Sequence, residues 1–255
     1  MNWGEVSMLI GILECGQTSP DWIEEHGEMA APFPPFLRSA DAALEFKVYK
    51  AHRHELPATA TECDAWLVTG SPASVHERLP WQPALAQFLV GAAQQRAVVG
   101  ICFGHQLLHD ALGGVVQRSG KGWGVGVQAY PLQTVPDWAP PGALDGDRFH
   151  LIALHQDQVT TPAPDTRVLA GNGFCPLGIT TIGENVLTIQ AHPEMTTRLA
   201  RDIYESQRAE QGDAITDAAV QSLQTRIDSR PAAHWVLAFV RHRLARLAAT
   251  TPQTR

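Results

Sequence analysis

Short apolar runs alternate with amphipathic stretches along the first half of the chain. SMLIGILEC (7–15) is rich in Ile and Leu and stops at Gly16, which predicts a buried strand. Residues 17–35 mix Pro, Gly and acids and read as a loop with room for a short helix. PPFLRSADAAL (34–44) opens on proline and predicts a helix. EFKVYKAH (45–52) alternates as a strand does, and AWLVTGS (65–71) predicts a third strand ending at Gly-Ser-Pro. PALAQFLVGAAQQ (83–95) is an Ala-rich amphipathic helix. AVVGIC (97–102) shows no alternation, as expected of a central strand buried on both faces. GHQLLHDALGG (104–114) follows as a helix with a Gly-Gly stop.

The texture then changes. VGVQAYPL (125–132), DRFHLIALHQDQV (147–159), TRVLAGN (166–172) and LGITTIGENVLTIQAH (177–192) predict strands joined by short turns. Ile182-Gly183-Glu184-Asn185 is the hairpin candidate. From Thr196 onward the pattern is helical, and AAHWVLAFVRHRLARLAA (232–249) carries apolar residues at helical spacing. Strands and helices alternating this way predict an α/β fold: a mixed, mostly parallel sheet with helices on both faces. No internal repeat or low-complexity segment interrupts it.

Composition narrows the function classes. The chain has 255 residues, 44% of them hydrophobic, enough for a sizeable core. With 19 basic and 26 acidic side chains the formal charge is -7, and no basic stripe stands out, so nucleic acid is not an expected partner. No apolar run approaches the length of a membrane span, so no membrane is expected either. MNWGEVSMLIGILECG places an acid before its first apolar run and has no basic leader, which reads as a start without a secretory signal. Cys15, Cys63, Cys102 and Cys175 lie far apart with no Cys-x-x-Cys pair, which argues against a zinc site and for a cytoplasmic setting. His105 and His109 have metal-like spacing, but no carboxylate shares their face. Neither metal nor cofactor is expected.

One cysteine asks for more. In GICFGHQ (100–106), Cys102 sits between Gly100 and Gly104, where a buried strand meets a helix. It is either a buried filler on a turn or a nucleophile at a strand-to-helix elbow. Small residues two before and two after leave room for the chain to double back. A thiol there faces the positive end of the helix dipole. The N–H of Phe103, the next residue, would point at an oxyanion. A base and an orienting acid stand at AHPE (191–194), where His192 and Glu194 lie two apart at the end of a strand. In an extended segment such residues face the same way.

These residues resemble the class I, triad-type glutamine amidotransferases. GICFGHQ is similar to their GxCxGxQ signature, AHPE to their HPE segment, and TGSPAS (69–74) to their oxyanion loop. The three also fall in the family's order. KGWGVGV (121–127) and LHQDQV (154–159) add to the likeness, which runs from about Met8 to Met195. The resemblance implies a flavodoxin-like fold and hydrolysis of a γ-glutamyl amide through a thioester. Cys102 would be the nucleophile, His192 the base and then acid, and Glu194 the orienting carboxylate. The amides of Ser71 and Phe103 would form the oxyanion hole. Gly70, Gln106, Trp123, His155 and Asp157 would line the substrate pocket. Two positions depart from the pattern: Ser71 stands where the family often has Gly, and Leu154 where a polar residue is usual.

The resemblance further implies a single amidotransferase domain over 1–255, with a core at 1–195 and a helical segment at 196–255. The 255 residues contain no P-loop or ATP-grasp-like segment, so a stand-alone member similar to the GMP-synthase-like amidotransferases is expected. Its ammonia would pass to a separate synthetase subunit or another acceptor. Two alternatives stay open: a γ-glutamyl peptidase using water as acceptor, and a silent binding module on the same fold.

Overall fold

Alternate residues of a strand point to opposite faces, so a strand apolar at every position needs cover on both. AWLV (65–68) and AVVGI (97–101) are buried at every position. The computed structural model, which describes residues 7–250, surrounds them with the rest of a seven-stranded sheet. Residues 1–6, part of MNWGEVSMLIGILECG, where no secretory signal is expected, lie outside the described residues.

The strands in chain order are β1 (Leu9–Leu13), β2 (Glu45–Tyr49), β3 (Ala65–Val68), β4 (Ala97–Ile101), β5 (Val115–Arg118), β6 (Gly124–Pro131), β7 (Arg148–His155), β8 (Asp157–Thr161), β9 (Thr166–Ala170), β10 (Ile179–Ile182) and β11 (Val186–Ile189). The main sheet runs β2-β1-β3-β4-β11-β10-β9. Neighbours from β2 to β11 are parallel, and β10 is antiparallel to β11 and β9. With β11 in fifth place this is the doubly wound 2-1-3-4-5 order of flavodoxin-like folds, whose ligands bind beyond the carboxyl ends of the strands. The remaining strands make two antiparallel pairs, β5 with β8 and β6 with β7.

Helices α1 (Pro20–His26), α2 (Phe33–Arg38), α3 (Gln82–Ala92), α4 (Phe103–Ala111), α5 (Thr197–Ser206), α6 (Arg208–Gln211), α7 (Asp213–Ser222) and α8 (Ser229–Thr250) complete the chain. Ile10, Ile12, Leu67, Val99 and Ile101 meet Phe33, Phe36 and Leu37 of α2 and Trp235, Val236, Phe239 and Val240 of α8 on one face. Leu13, Trp66, Val68 and Val98 meet Leu85 and Leu89 of α3 and Leu107 and Leu108 of α4 on the other. Each such fully buried side chain contributes about 1.5–3 kcal/mol, which favours this strand register over any slip.

Three features differ from the sequence reading. The helix expected over 34–44 stops at Arg38, because side chains beyond it take over the backbone groups. Ser39 Oγ donates to the Phe36 carbonyl at 2.6 Å, Asp41 Oδ1 accepts from the Ala43 N–H at 2.9 Å, and Arg38 Nη2 donates to the Leu44 carbonyl at 3.1 Å. The C-terminal helical run is four helices, broken at Gly212, whose φ of 88° no helix accommodates. The short β5 was not anticipated; its apolar signal is only two valines long.

His105 and His109 are both fully buried on α4 and take part in one hydrogen-bonded chain. The Ala163 N–H donates to His109 Nδ1 at 3.2 Å, so a neutral His109 carries its proton on Nε2 and donates to Thr180 Oγ1 at 3.0 Å. Thr180 and Thr188 bond at 2.7 Å, and Thr188 Oγ1 lies 2.7 Å from His105 Nδ1. Burial holds His105 well below its usual pKa and pushes His109 down to about 4. Burial, with His192 nearby, also lowers His155 to about 4. Between pH 6.5 and 4 the unfolded chain therefore binds protons at these sites that the folded chain refuses. The stability they contribute is complete above pH 6.5 and is lost as pH falls towards 4, on the order of 3 kcal/mol each for His109 and His155. We expect the urea midpoint to drop steeply between pH 6.5 and 4.5; a flat profile would contradict the network.

Candidate active site

The cysteine sits where β4 must turn into α4 within one residue. The Cys102 N–H still follows the sheet, donating to the Ile189 carbonyl of β11 at 2.8 Å. The backbone then reverses at Cys102 with φ 50° and ψ −102°, and α4 begins at Phe103. A non-glycine residue held there stores about 1–3 kcal/mol of strain. Both flanking glycines are required by close approach. A Cβ at Gly100 would stand 2.6 Å from the Gly104 carbonyl, and one at Gly104 would stand 2.6 Å from the Val68 carbonyl. The Gly104 N–H donates to the Thr69 carbonyl at 3.2 Å, which fixes the end of β3 beside the elbow.

His192 reaches the same point from the end of β11. Its N–H donates to the Ile152 carbonyl at 2.8 Å, so β7 anchors it from the side. His192 Nδ1 lies 2.7 Å from Glu194 Oε1, and both side chains are under one tenth exposed. The two do not face each other through extended alternation, as the sequence had suggested. The Met195 N–H returns to the His192 carbonyl at 3.4 Å, so 192–195 is a turn that folds Glu194 back onto the ring. With Nδ1 taken, Nε2 is left for Cys102. Burial works against a charged imidazole here, but the Cys102 sulfur and the Glu194 carboxylate outweigh it. They hold His192 well above its ordinary pKa.

The other expected site residues gather around this pair. Gly70 follows β3 so closely that a Cβ would stand 2.9 Å from His192 Cε1. Ser71 does not adopt a positive φ, so its departure from glycine carries no backbone penalty. Its Oγ donates to the Cys15 carbonyl at 2.6 Å and accepts from the Ala73 N–H at 3.1 Å, which shapes the 69–74 loop. Phe103 opens α4, so its N–H has no partner within the helix. Gln106 borders the cavity, yet its Nε2 is committed to the Asp157 carbonyl at 2.8 Å and Gln190 Oε1 at 3.3 Å. It therefore fixes the 154–158 segment as much as it offers a contact. Asp157 accepts from Ser74 Oγ, and Arg118 Nε lies 3.9 Å from its other oxygen. Trp123 and His155 line the same cavity, and Leu154 does so through the carbonyl that faces Cys102 Sγ at 3.8 Å.

The cavity measures about 540 Å³ and opens where β1, β3, β4 and β11 end. Ser74, Glu77 and Arg118 belong to its wall, as do Trp22 and Met29 of the 17–33 stretch and Leu199 and Ile203 of α5. Ser74 closes the TGSPAS loop and forms a capping box with Glu77. The others carry no motif; their sequence cue is the Trp and His at helical spacing in WIEEH (22–26). At the rim, ligand-capable atoms of Glu25, His26 and Asp202 lie within 4.8 Å of one another. They are accounted for by a hydrogen bond between His26 and Asp202 and an ion pair between Glu25 and Arg198. Burial raises the thiols of Cys15, Cys63 and Cys175, so these remain protonated at neutral pH.

Comparison with known proteins bears on the family. The family described as glutamine amidotransferase class-I matches residues 37–208, more than half of the chain. The chain belongs to that family. Among curated relatives of this class I amidotransferase, gamma-glutamyl peptidase 2 of Arabidopsis thaliana is 29% identical over 113 residues, 44% of this chain and 45% of that one. A glutamine-hydrolysing GMP synthase of Dinoroseobacter shibae is 32% identical over 146 residues, 56% of this chain and 27% of that one. The chain thus matches less than half the length of either. A solved glutamine amidotransferase from Methylobacillus flagellatus superposes with a TM-score of 0.70 at 23% identity, covering 94% of each chain. That likeness is one of fold. Among the described residues no helix is long and apolar enough to cross a membrane.

Proposed function

We propose that this amidotransferase hydrolyses the γ-amide of glutamine through a thioester on Cys102. The observation that carries the reading is the strained elbow placing Cys102 against the buried His192–Glu194 pair. His192 Nε2 takes the thiol proton, and Glu194 holds Nδ1 and stabilises the imidazolium. The thiolate attacks the γ-carbonyl carbon, and the resulting oxyanion lies between the N–H groups of Ser71 and Phe103. The tetrahedral intermediate collapses: the C–N bond breaks, His192 gives its proton to the leaving nitrogen, and ammonia departs. His192 then takes a proton from water, the hydroxide attacks the thioester, and glutamate leaves as the sulfur regains its proton.

The acceptor of the ammonia would be a separate synthetase subunit, a reading supported by the similarity to a GMP synthase. Four unpaired cysteines suit a reducing, cytoplasmic setting. The described chain would act as one amidotransferase domain, since strand ends from β1 to β11 and helix α5 wall the same cavity. A second reading, cleavage of γ-glutamyl peptides with water as acceptor, is favoured by the cavity. Its volume falls among pockets that hold drug-sized ligands, roughly 300–1,000 Å³, while glutamine has only about ten non-hydrogen atoms.

Incubation with a glutamine analogue that alkylates the attacking thiol should add one mass adduct, located on Cys102. Glutamate should be released from glutamine or from a γ-glutamyl peptide. Absence of both adduct and glutamate across the panel would refute the assignment.

A further inference from the structure

The cavity has two kinds of wall. One carries the polar loops and the elbow: Gly70, Ser71, Cys102, His155, Asp157 and His192. The other is apolar, formed by Trp22, Met29, Trp123, Met195, Leu199 and Ile203. A free glutamine side chain ends in an amide that releases ammonia, and ammonia has no use for an apolar surface. An apolar wall lowers free energy only when it covers apolar groups of what enters.

This wall is built rather than incidental. Met195 is buried, and Trp123, Leu199 and Ile203 pack on the same cluster, which includes Val125, Ile152 and Tyr204. Tyr204, one residue beyond Ile203, fastens α5 to the β6–β7 pair: its hydroxyl donates to the Ala153 carbonyl at 2.7 Å and accepts from the Gly126 N–H at 3.0 Å. On the opposite side, His26 of α1 bonds Asp202 of α5 at 2.8 Å, and Glu25 pairs with Arg198. Trp22 stands one turn before His26 on α1, edge to face with its ring. Two helices distant in sequence are thus latched together with apolar residues lining the space they enclose.

We propose that the apolar wall receives the leaving group, and that this protein cleaves γ-glutamyl compounds whose leaving amine carries an apolar body of leucine to aromatic size. This rests on the γ-glutamyl thioester chemistry proposed above, takes up its second reading, cleavage of γ-glutamyl peptides, and specifies the leaving group. The bond broken is the γ-glutamyl C–N bond. The proton from His192 goes to the leaving nitrogen, which departs as an uncharged amine with its apolar body along the Trp22–Leu199–Ile203 surface. Water then releases glutamate from Cys102. Trp22, Leu199 and Ile203 are the specificity-determining residues.

The test is a comparison of kcat/KM, read as glutamate release, for γ-glutamyl-leucine, γ-glutamyl-phenylalanine, γ-glutamyl-glycine, γ-glutamyl-aspartate and glutamine. The expected result is at least a tenfold preference for the leucine and phenylalanine compounds over the glycine and aspartate ones. Ile203→Asp and Trp22→Ala should each reduce that preference ratio by about fivefold or more. Because the wild-type series needs no variant, a misfolded variant cannot mask the answer. Equal rates across the peptides, or glutamine as the best substrate, overturns the proposal while leaving the thioester chemistry in place. Turnover of none of the five overturns the thioester reading itself.

Discussion

Cys102→Ser should lower glutamate release by about 10⁴-fold or more, with the fold retained. The alcohol is a far weaker nucleophile than a thiolate at neutral pH, and groups that act as a unit lose nearly everything when one is removed. The side chain is small and sits at a turn, so the exchange disturbs little packing. Glutamate release and the melting temperature, measured on the same preparation, check both halves; turnover within tenfold of wild type would remove Cys102 from the chemistry. A companion pair isolates the strain. Cys102→Ala and Cys102→Gly both lack sulfur, but only alanine must hold a side chain at φ 50°. The glycine variant should be more stable than the alanine variant by about 1–3 kcal/mol. Equal stabilities would mean that the elbow stores no strain.

Gly104→Ala should cost about 3 kcal/mol of stability and should also slow the reaction. The added Cβ would stand 2.6 Å from the Val68 carbonyl and 2.8 Å from Val68 Cβ. Both belong to a central strand buried on both faces, with no flexible tip to move aside, so overpacking forces backbone to shift. The shift would open the Gly104–Thr69 bond that sets the spacing between the 69–74 loop and Cys102. Gly91→Ala in α3 is the control, because nothing lies within 4 Å of the Cβ it would add. It should raise stability by up to about 1 kcal/mol. Urea unfolding of the two variants checks the contrast; two similar midpoints would contradict the close packing at the elbow.

The residues that gather at the cavity were legible in the sequence to unequal degrees. GICFGHQ announced an elbow because strand, glycine spacing and helix are local, and local sterics need no partner. Apolar periodicity likewise marked the strands of the main sheet, since a strand buried on both faces has few other compositions. The helix at 34–44 was overestimated because Ser39 and Asp41 could satisfy the backbone themselves, and only the folded turn shows that they do. The His192–Glu194 pairing was legible as a pair, but not as a turn, because the anchoring Ile152 carbonyl comes from β7, forty residues away in the chain.

By itself, then, the sequence determined the sheet-and-helix order and the elbow, and its resemblance to the family pointed to Cys102, His192 and Glu194 as candidates for the chemistry. The tertiary structure decided the rest: that Gln106 ties down the 154–158 segment, that buried histidines form a chain through two threonines, and that α1 and α5 close an apolar wall over the cavity. The division has a physical reason. Strand burial and elbow sterics depend on neighbours within a few residues. A wall made of Trp22 and Ile203 depends on two helices meeting across the fold, and no spacing along the chain encodes that meeting.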